Sequence, residues 1–214
     1  MSIPDDQSAY WNSTGTGKTF GHPLHPGWTA RIDRGAALLD YGCGYGRLAG
    51  DLAGLGFTDV EGVDVAAESV ARARAEQPAA RFDVLTDPPR LDRPDASYDA
   101  AFLFAVLTCV PGDDAQRALV AELHRVLRPG ALLQVSDYCL QPDERNRERY
   151  RRFESRYGRF GVFETGDGAV CRHHTRAWLG ELFGDFDAVA EHELPVLTMN
   201  DRPAVATRFL FARR

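Results

Sequence analysis

Residues 36–56 read AALLDYGCGYGRLAGDLAGLG, an apolar run, a glycine cluster and an amphipathic stretch in immediate succession. Ala36, Ala37, Leu38 and Leu39 have the unbroken apolar character of a parallel strand buried on both faces. Gly42, Gly44 and Gly46 then make a turn able to adopt positive φ, which lets a ligand lie against bare backbone. Leu48, Leu52 and Leu55 recur at helical spacing and predict a helix with one buried face. A strand that hands a ligand to a helix start accounts for this order, because the first N–H groups of a helix have no partners inside it.

The glycine spacing separates two cofactor chemistries. The dinucleotide fingerprint GxGxxG needs a third glycine where the helix packs close behind a pyrophosphate, and Arg47 holds that place. An acidic strand end, Asp40, followed by GxGxG at Gly42, Gly44 and Gly46 instead resembles the first motif of class I S-adenosylmethionine-dependent methyltransferases. That cofactor has no phosphate, so its loop need only pass close to the methionine and ribose. Residues 123–138, LHRVLRPGALLQVSDY, resemble the late motif of the same family. The resemblance is specific over residues 36–138 and holds only in outline beyond them.

The resemblance implies an α/β fold, a doubly wound, Rossmann-like, mostly parallel sheet of seven strands in the order 3-2-1-4-5-7-6, the last strand antiparallel, to which the chain's own pattern adds a helix-hairpin lid insert. It implies S-adenosyl-L-methionine as cofactor and S-adenosyl-L-homocysteine as product. Asp40, Gly42, Cys43, Gly44 and Gly46 are the expected residues around the methionine.

A chain of 214 residues with 44% hydrophobic content can bury one sizeable core, and a single domain is expected. Its net charge of −6 argues against a surface built to neutralise a phosphate backbone, so no nucleic-acid partner is expected. Cys43, Cys109, Cys139 and Cys171 lie far apart without a CxxC pair, suggesting neither a zinc knuckle nor a disulfide framework, and no metal is expected. MSIPDDQSAYW at the N-terminus lacks an apolar signal core, and no apolar run reaches the ~18 residues of a membrane span. The expectation is a cytoplasmic protein without a membrane partner, either a monomer or a homodimer.

The chain divides into an N-terminal flap (1–30), a cofactor-binding half (31–139), a lid insert (140–174) and a closing helix with two strands (175–214). In the flap, residues 12–19, NSTGTGKT, come within one residue of the P-loop GxxxxGKT. Polar residues precede this stretch, and Gly21, Pro23, Pro26 and Gly27 argue against a helix after it, so no triphosphate site is expected. Tyr10, Trp11, Phe20 and Trp28 either anchor a flap over cofactor and substrate or tether a tail to the core. Trp11 and Lys18, the sole lysine, are assigned to the cofactor and Tyr10 to the acceptor.

Asp59 to Val65 reads as a second strand ending at Asp64 and Val65, about 20 residues after Gly42, a spacing that suits a ribose contact. Carboxylate oxygens accept from both vicinal hydroxyls, and the resemblance carries that role to Asp64. Arg81 to Leu85 reads as a third strand. In the loop after it the resemblance places an acid against the adenine amine at Asp87, with Asp83 as the alternative and Pro88 bracketing the ring. Ala100 to Val106 has the character of a central strand, and its end, with Phe104 and Thr108, is expected at the site. A helix opening at Asp113 and Asp114 is expected to close at Arg128-Pro129-Gly130. Asp143 to Tyr157 predicts a charged helix with Tyr150, Phe153 and Tyr157 on one face, followed by a hairpin around Gly166-Asp167-Gly168. These elements form a lid or add to the core. Thr175 reads as an N-cap, and Phe186 to Leu197 pairs with Ala204 to Ala212 to close the sheet.

Methyl transfer from a sulfonium is an in-line displacement, so a protein supplies position, water exclusion and, where needed, a base. His22, His25, His173 and His174 are the candidates, each of which also reads as a structural histidine. Strand alternation sends only one of His173 and His174 inward, and His174 is favoured. The expected catalytic set is His174, His22 and Tyr138, Asp137 and Tyr138 being placed to orient a donor. The expected acceptor contacts are Tyr10, Thr108, Tyr150, Tyr157 and His173. Together these readings describe methyl transfer to an oxygen or nitrogen of a small molecule, in specialised metabolism. Two rivals stand: a catalytically silent S-adenosylmethionine-binding protein, which would keep Asp64 and the glycines, and an NAD(P)-dependent oxidoreductase, whose fingerprint Arg47 interrupts.

Overall fold

Leu38 and Leu39 are adjacent, both buried, and belong to different apolar clusters, one on each face of the strand they open. Burying such a side chain is worth about 1.5–3 kcal/mol, so this dipeptide ties two helical layers to one sheet. The computed structural model describes residues 3, 4 and 7–214. In chain order it contains α1 (Ser8–Trp11), a 3₁₀ turn (Thr14–Gly17), α2 (Pro26–Thr29), β1 (Leu38–Tyr41), α3 (Arg47–Gly54), β2 (Val60–Asp64), α4 (Ala67–Glu76) and β3 (Arg81–Val84). There follow β4 (Tyr98–Phe104), a 3₁₀ turn (Leu107–Cys109), α5 (Asp113–Val126), β5 (Leu127–Asp137) and α6 (Glu144–Tyr157). The chain ends with β6 (Val162–Glu164), β7 (Val170–Arg172), α7 (Arg176–Leu182), β8 (Phe186–Leu197) and β9 (Pro203–Arg213).

Seven strands form one sheet in the order β3-β2-β1-β4-β5-β9-β8, and β6 and β7 pair separately as a hairpin. With the hairpin set apart, β8 and β9 are the sixth and seventh strands of the sheet, so the expected Rossmann-like order is the observed one. The strands from β3 to β5 are parallel, whereas β9 is antiparallel to both β5 and β8. Leu48 and Leu52 of α3 and Val70 and Ala73 of α4 pack on one face. Leu119, Leu123 and Val126 of α5 and Leu179 and Leu182 of α7 pack on the other. The insert has its own small core, in which Tyr150, Phe163, Ala169 and Cys171 are buried against Tyr10 from the N-terminal segment. Asp143 caps α6 by accepting from the Asn146 N–H at 3.1 Å, and Thr175 caps α7 by accepting from the Trp178 N–H at 3.1 Å.

Four local expectations are corrected. β1 runs two residues later than the apolar run, because its ladder begins where Leu38 faces Val60 and Ala100. Leu55 lies beyond the end of α3 and is 46% exposed, so only Leu48 and Leu52 serve the core. Arg128, Pro129 and Gly130 belong to an irregular start of β5, not to the helix end, since Tyr98 already faces Leu127 before the register shifts. Pro26 opens a single helical turn, α2, where its missing N–H costs nothing, although a helix there was not expected.

Candidate functional site

The glycine turn sits at the carboxyl end of β1, where Val63 C=O accepts from the N–H groups of Gly42 at 2.8 Å and Cys43 at 3.0 Å. The three glycines differ in what surrounds them. At Gly42, with φ +78°, a Cβ would stand 2.4 Å from Val106 Cγ2, and at Gly46, with φ +81°, it would stand 3.0 Å from Ala73 and Phe82. At Gly44, with φ +51°, nothing lies within 4 Å. Gly42 and Gly46 therefore let chains pack, while Gly44 leaves its backbone open to the cavity it lines. Asp64, at the end of β2, accepts from the Gly44 N–H at 2.8 Å and the Ala66 N–H at 2.9 Å, locking the glycine turn to the start of α4.

This turn floors a cavity of about 220 Å³. Asp40, Cys43, Asp64 and Val65 line its β1–β2 end, Pro88 and Pro89 one side, and Phe104 and Val106 the β4 end. Trp11, Lys18 and Phe20 of the N-terminal segment also line it. Asp40 is buried, and its Oδ2 has no hydrogen-bond partner. Burial pushes its pKa up to about 7; Arg47 opposes the shift and Asp64 adds to it. Asp64 is raised by the same desolvation, while the N–H groups it accepts from hold it down.

Of the residues expected around the cofactor, Asp40, Gly42, Cys43, Gly44, Asp64, Val65, Pro88, Phe104, Trp11 and Lys18 meet at this cavity. Gly46 stands behind the turn against α4. Asp87 is corrected: it is exposed and outside the lining, the loop turning Pro88 and Pro89 inward instead. Its alternative, Asp83, is spent on Arg93 at 2.7 Å and Arg74 at 3.7 Å. Lys18 Nζ pairs with Asp167 of the hairpin turn and donates to Asn200 Oδ1 at 2.5 Å. The near P-loop has no P-loop geometry, since α1 precedes it and an extended segment follows its 3₁₀ turn.

The expected bases are corrected by their burial. His22 is fully enclosed, with Nδ1 2.8 Å from Ser136 Oγ and Nε2 3.0 Å from Tyr138 Oη, and desolvation pushes its pKa down to about 3, with Arg47 and Arg208 assisting. His174 lies under the insert with Nε2 2.8 Å from Gln116 Nε2 and Nδ1 3.2 Å from the Tyr138 carbonyl. The Tyr138 carbonyl can only accept, so the His174 hydrogen sits on Nδ1 and points at it, leaving Nε2 as an acceptor towards the Gln116 amide, which also reaches the Leu107 and Val110 carbonyls. Desolvation pushes this ring too down to about 3. His22 and His174 line neither this cavity nor the smaller one beside the insert, and desolvation holds both neutral. His25 caps α2 and stacks on Trp28 at 4.2 Å.

A second cavity, of about 60 Å³, lies between α6, the hairpin and the turn before β9. Thr108, Tyr138 and His173 line it, as does Phe20, which faces both cavities. Tyr10, Tyr150 and Tyr157 do not. Tyr10 donates to Asp167 Oδ2 at 3.2 Å, Tyr157 to Glu164 Oε1 at 2.5 Å, and Tyr150 is buried inside the insert. Their rings supply the apolar core that a short helix and hairpin need to hold together. Among residues not anticipated, Gln7 joins the N-terminal segment to the rest: its amide donates to the Cys109 and Val170 carbonyls at 2.9 Å each and accepts from the Val170 N–H at 2.8 Å. Val106, Pro111 and Leu119 complete the apolar wall of the larger cavity. The one signal for that wall was the unalternating β4, whose carboxyl end had to open onto the site.

Residues 39–135 match the family model described as a methyltransferase domain. The stretch from β1 to β5 therefore resembles a methyltransferase domain, as the glycine turn implied. An S-adenosylmethionine-dependent methyltransferase from Methanosarcina mazei superposes with a TM-score of 0.84 at 23% identity, over 90% of this chain and 99% of that one. A Burkholderia thailandensis 1,6-didemethyltoxoflavin-N1-methyltransferase, solved with its acceptor and S-adenosylhomocysteine, gives a TM-score of 0.62 at 21% identity, over 86% and 73% of the two chains. The O-methyltransferase resE of Aspergillus sclerotiorum is 33% identical over 127 residues, 56% of this chain and 46% of that protein. The match runs from the glycine turn through most of β5, and the chain spans about half the length of the curated relatives it matches, or less. No group of metal-ligating side chains occurs among the described residues, and none of their helices is long and apolar enough to cross a membrane.

Proposed function

We propose that this protein transfers a methyl group from S-adenosylmethionine to an oxygen of a small-molecule acceptor. The observation that carries the proposal is one cavity combining the unpartnered buried oxygen of Asp40, the open backbone of Gly44 and the carboxylate of Asp64. These groups fit the cofactor's polar ends: Asp40 would hold the methionine ammonium, the Gly44 backbone would face the methionine, and Asp64 would accept from the ribose hydroxyls. Pro88, Pro89 and Leu85 would bracket the adenine. When bound, the cofactor supplies a methyl group made electrophilic by its sulfonium. Lys18 serves in this reading as a latch between flap and lid, because Asp167 and Asn200 already engage it.

Oxygen is favoured over nitrogen by the names of the curated relatives. With His22 and His174 neutral and enclosed, the protein's part is position and water exclusion, and the acceptor oxygen ionises by its own acidity. The division into flap (1–30), cofactor-binding half (31–139), lid (140–174) and closing elements (175–214) belongs to the same proposal, as do a cytoplasmic location and a place in specialised metabolism. The test is mass spectrometry of small molecules gaining a labelled methyl group from the cofactor in an extract of the source organism. A product shifted by the label supports the reading. Calorimetric binding of S-adenosylhomocysteine without any labelled product leaves the silent binding protein as the answer.

A further inference from the structure

The smaller cavity has a positively charged lining. Arg145 and Arg149 of α6 and Arg202 of the turn before β9 line it, and no aspartate or glutamate does. None of these three arginines has a carboxylate partner among the described residues, although their neighbours do: Arg151 pairs with Glu144, Arg156 with Glu164, and Arg159 and Arg172 with Asp113. Asp143, which caps α6, gives its carboxylate to the Asn146 N–H and side-chain amide. The Arg149 guanidinium lies 3.4 Å from the centre of the Phe163 ring, and its Nε is buried without a partner, as is Asn146 Oδ1. Arg149 does hydrogen-bond Tyr150, but a buried donor without a partner and a half-buried cation without a counter-charge are costly unless a ligand completes them.

We propose that this cavity is the acceptor subsite for an anion, a carboxylate carried on a flat, otherwise apolar molecule. This rests on the methyl-transfer reading only in treating the ligand as the acceptor. Arg149 supplies the fork that matches a carboxylate, and Arg145 and Arg202 add charge at the rim. His173 adds a donor, not a base. The Tyr150 hydroxyl accepts from the Gln141 N–H at 3.1 Å and from the Arg149 side chain, which fills both lone pairs, so its own hydrogen goes to His173 Nδ1 at 2.6 Å and the His173 hydrogen is on Nε2. Tyr138 stacks on His173 with ring centres 5.1 Å apart, and with Phe163 and Phe20 these rings make the sides of a slot. At about 60 Å³ the cavity admits the anionic end of the acceptor, and Phe20, shared with the larger cavity, marks the direction in which the remainder extends.

The test titrates the full chain, loaded with S-adenosylhomocysteine, with acetate, benzoate and salicylate, each against its own amide, by calorimetry and saturation-transfer NMR. The expected result is that at least one carboxylate binds tenfold or more tightly than its amide, and that Arg149→Leu and Arg145→Gln each erode that preference. Preferences below tenfold for every pair, as ordinary solvated surface arginines would give, overturn the proposal, as does a preference that survives in both variants. Should Arg149→Leu fail to fold, Arg145→Gln alone decides. If S-adenosylhomocysteine does not bind, the methyl-transfer reading fails, and the same titrations on the unloaded chain still judge the anion site.

Discussion

Gly42, Gly44 and Gly46 share a left-handed backbone, yet a methyl group added at each meets a different surrounding, and that difference makes them separable by mutation. Gly44→Ala pays only the backbone cost of about 1–2 kcal/mol, since its Cβ enters open space, but it fills the cavity. Gly42→Ala adds a clash at 2.4 Å with Val106 to the same backbone cost. Chemical denaturation is expected to rank Gly42→Ala as the less stable variant, while calorimetry shows Gly44→Ala folded and unable to bind S-adenosylhomocysteine normally. Asp40 yields a second prediction. Its carboxyl keeps a proton up to about pH 7, and an ammonium group placed beside it favours the ionised form. Binding below that pH therefore releases a proton, and affinity for S-adenosylhomocysteine is expected to rise by up to about tenfold per pH unit between pH 5 and 7. Asp40→Asn should flatten this profile; an equally steep one in the variant would remove Asp40 from the cofactor's ammonium.

At the scale of elements, the N-terminal segment is held by contacts to the insert more than by its own structure. α1 is a single turn with no buried residue, whereas Gln7, Tyr10 and Lys18 reach the hairpin and the turn after β4. Such a segment closes a site without supporting the sheet. Removing residues 1–20 is expected to leave the far-ultraviolet circular dichroism of the sheet intact and to cut turnover by tenfold or more, a far larger effect than on the melting temperature. Unchanged turnover in the truncated protein would make the segment a tail. β8, at the open edge of the sheet, carries Asp187, Glu191, His192 and Glu193, and Arg176 of α7 bridges Glu191 and Glu193 at 2.5 Å each. Charges of this kind discourage pairing with another strand.

For the molecule as a whole, buried titratable groups pull stability in opposite directions with pH. His22 and His174 are pushed down to about 3, so the unfolded chain takes up protons the folded one refuses, and their contribution is lost as pH falls from about 6.5 towards 3. At pH 5 this amounts to about 2 kcal/mol for each. Asp40 and Asp137 are pushed up to about 7 by desolvation, so the stability their protonated forms contribute is present below about pH 4 and lost as pH rises towards 7. Denaturation curves of His174→Gln are expected to show a smaller loss of stability between pH 7 and 5 than the parent, by about 2 kcal/mol, and those of Asp137→Asn a larger loss of similar size. Identical pH slopes in the parent and both variants would contradict the enclosure of these groups.

The chain's own local order was enough for the sheet's central strand, the glycine turn, the acid at Asp64, the cap at Thr175 and the turn at Gly166-Asp167-Gly168, because each depends on backbone freedom, side-chain periodicity or hydrogen bonds within a few residues. The order of the seven strands could be inferred from the family resemblance and agrees with right-handed crossovers. What the sequence did not contain was the surroundings of its ionisable groups. His22 is neutral because Ser136 and Tyr138 enclose it from more than a hundred positions away, and Asp87 faces solvent because two prolines take its place at the cavity. Arg149 has no carboxylate partner because α6 and the hairpin fold its guanidinium over Phe163 while the nearby acids are engaged elsewhere. Proton affinity and charge pairing are set by desolvation and by what distant segments bring within hydrogen-bond reach, and those exist only once the chain has packed.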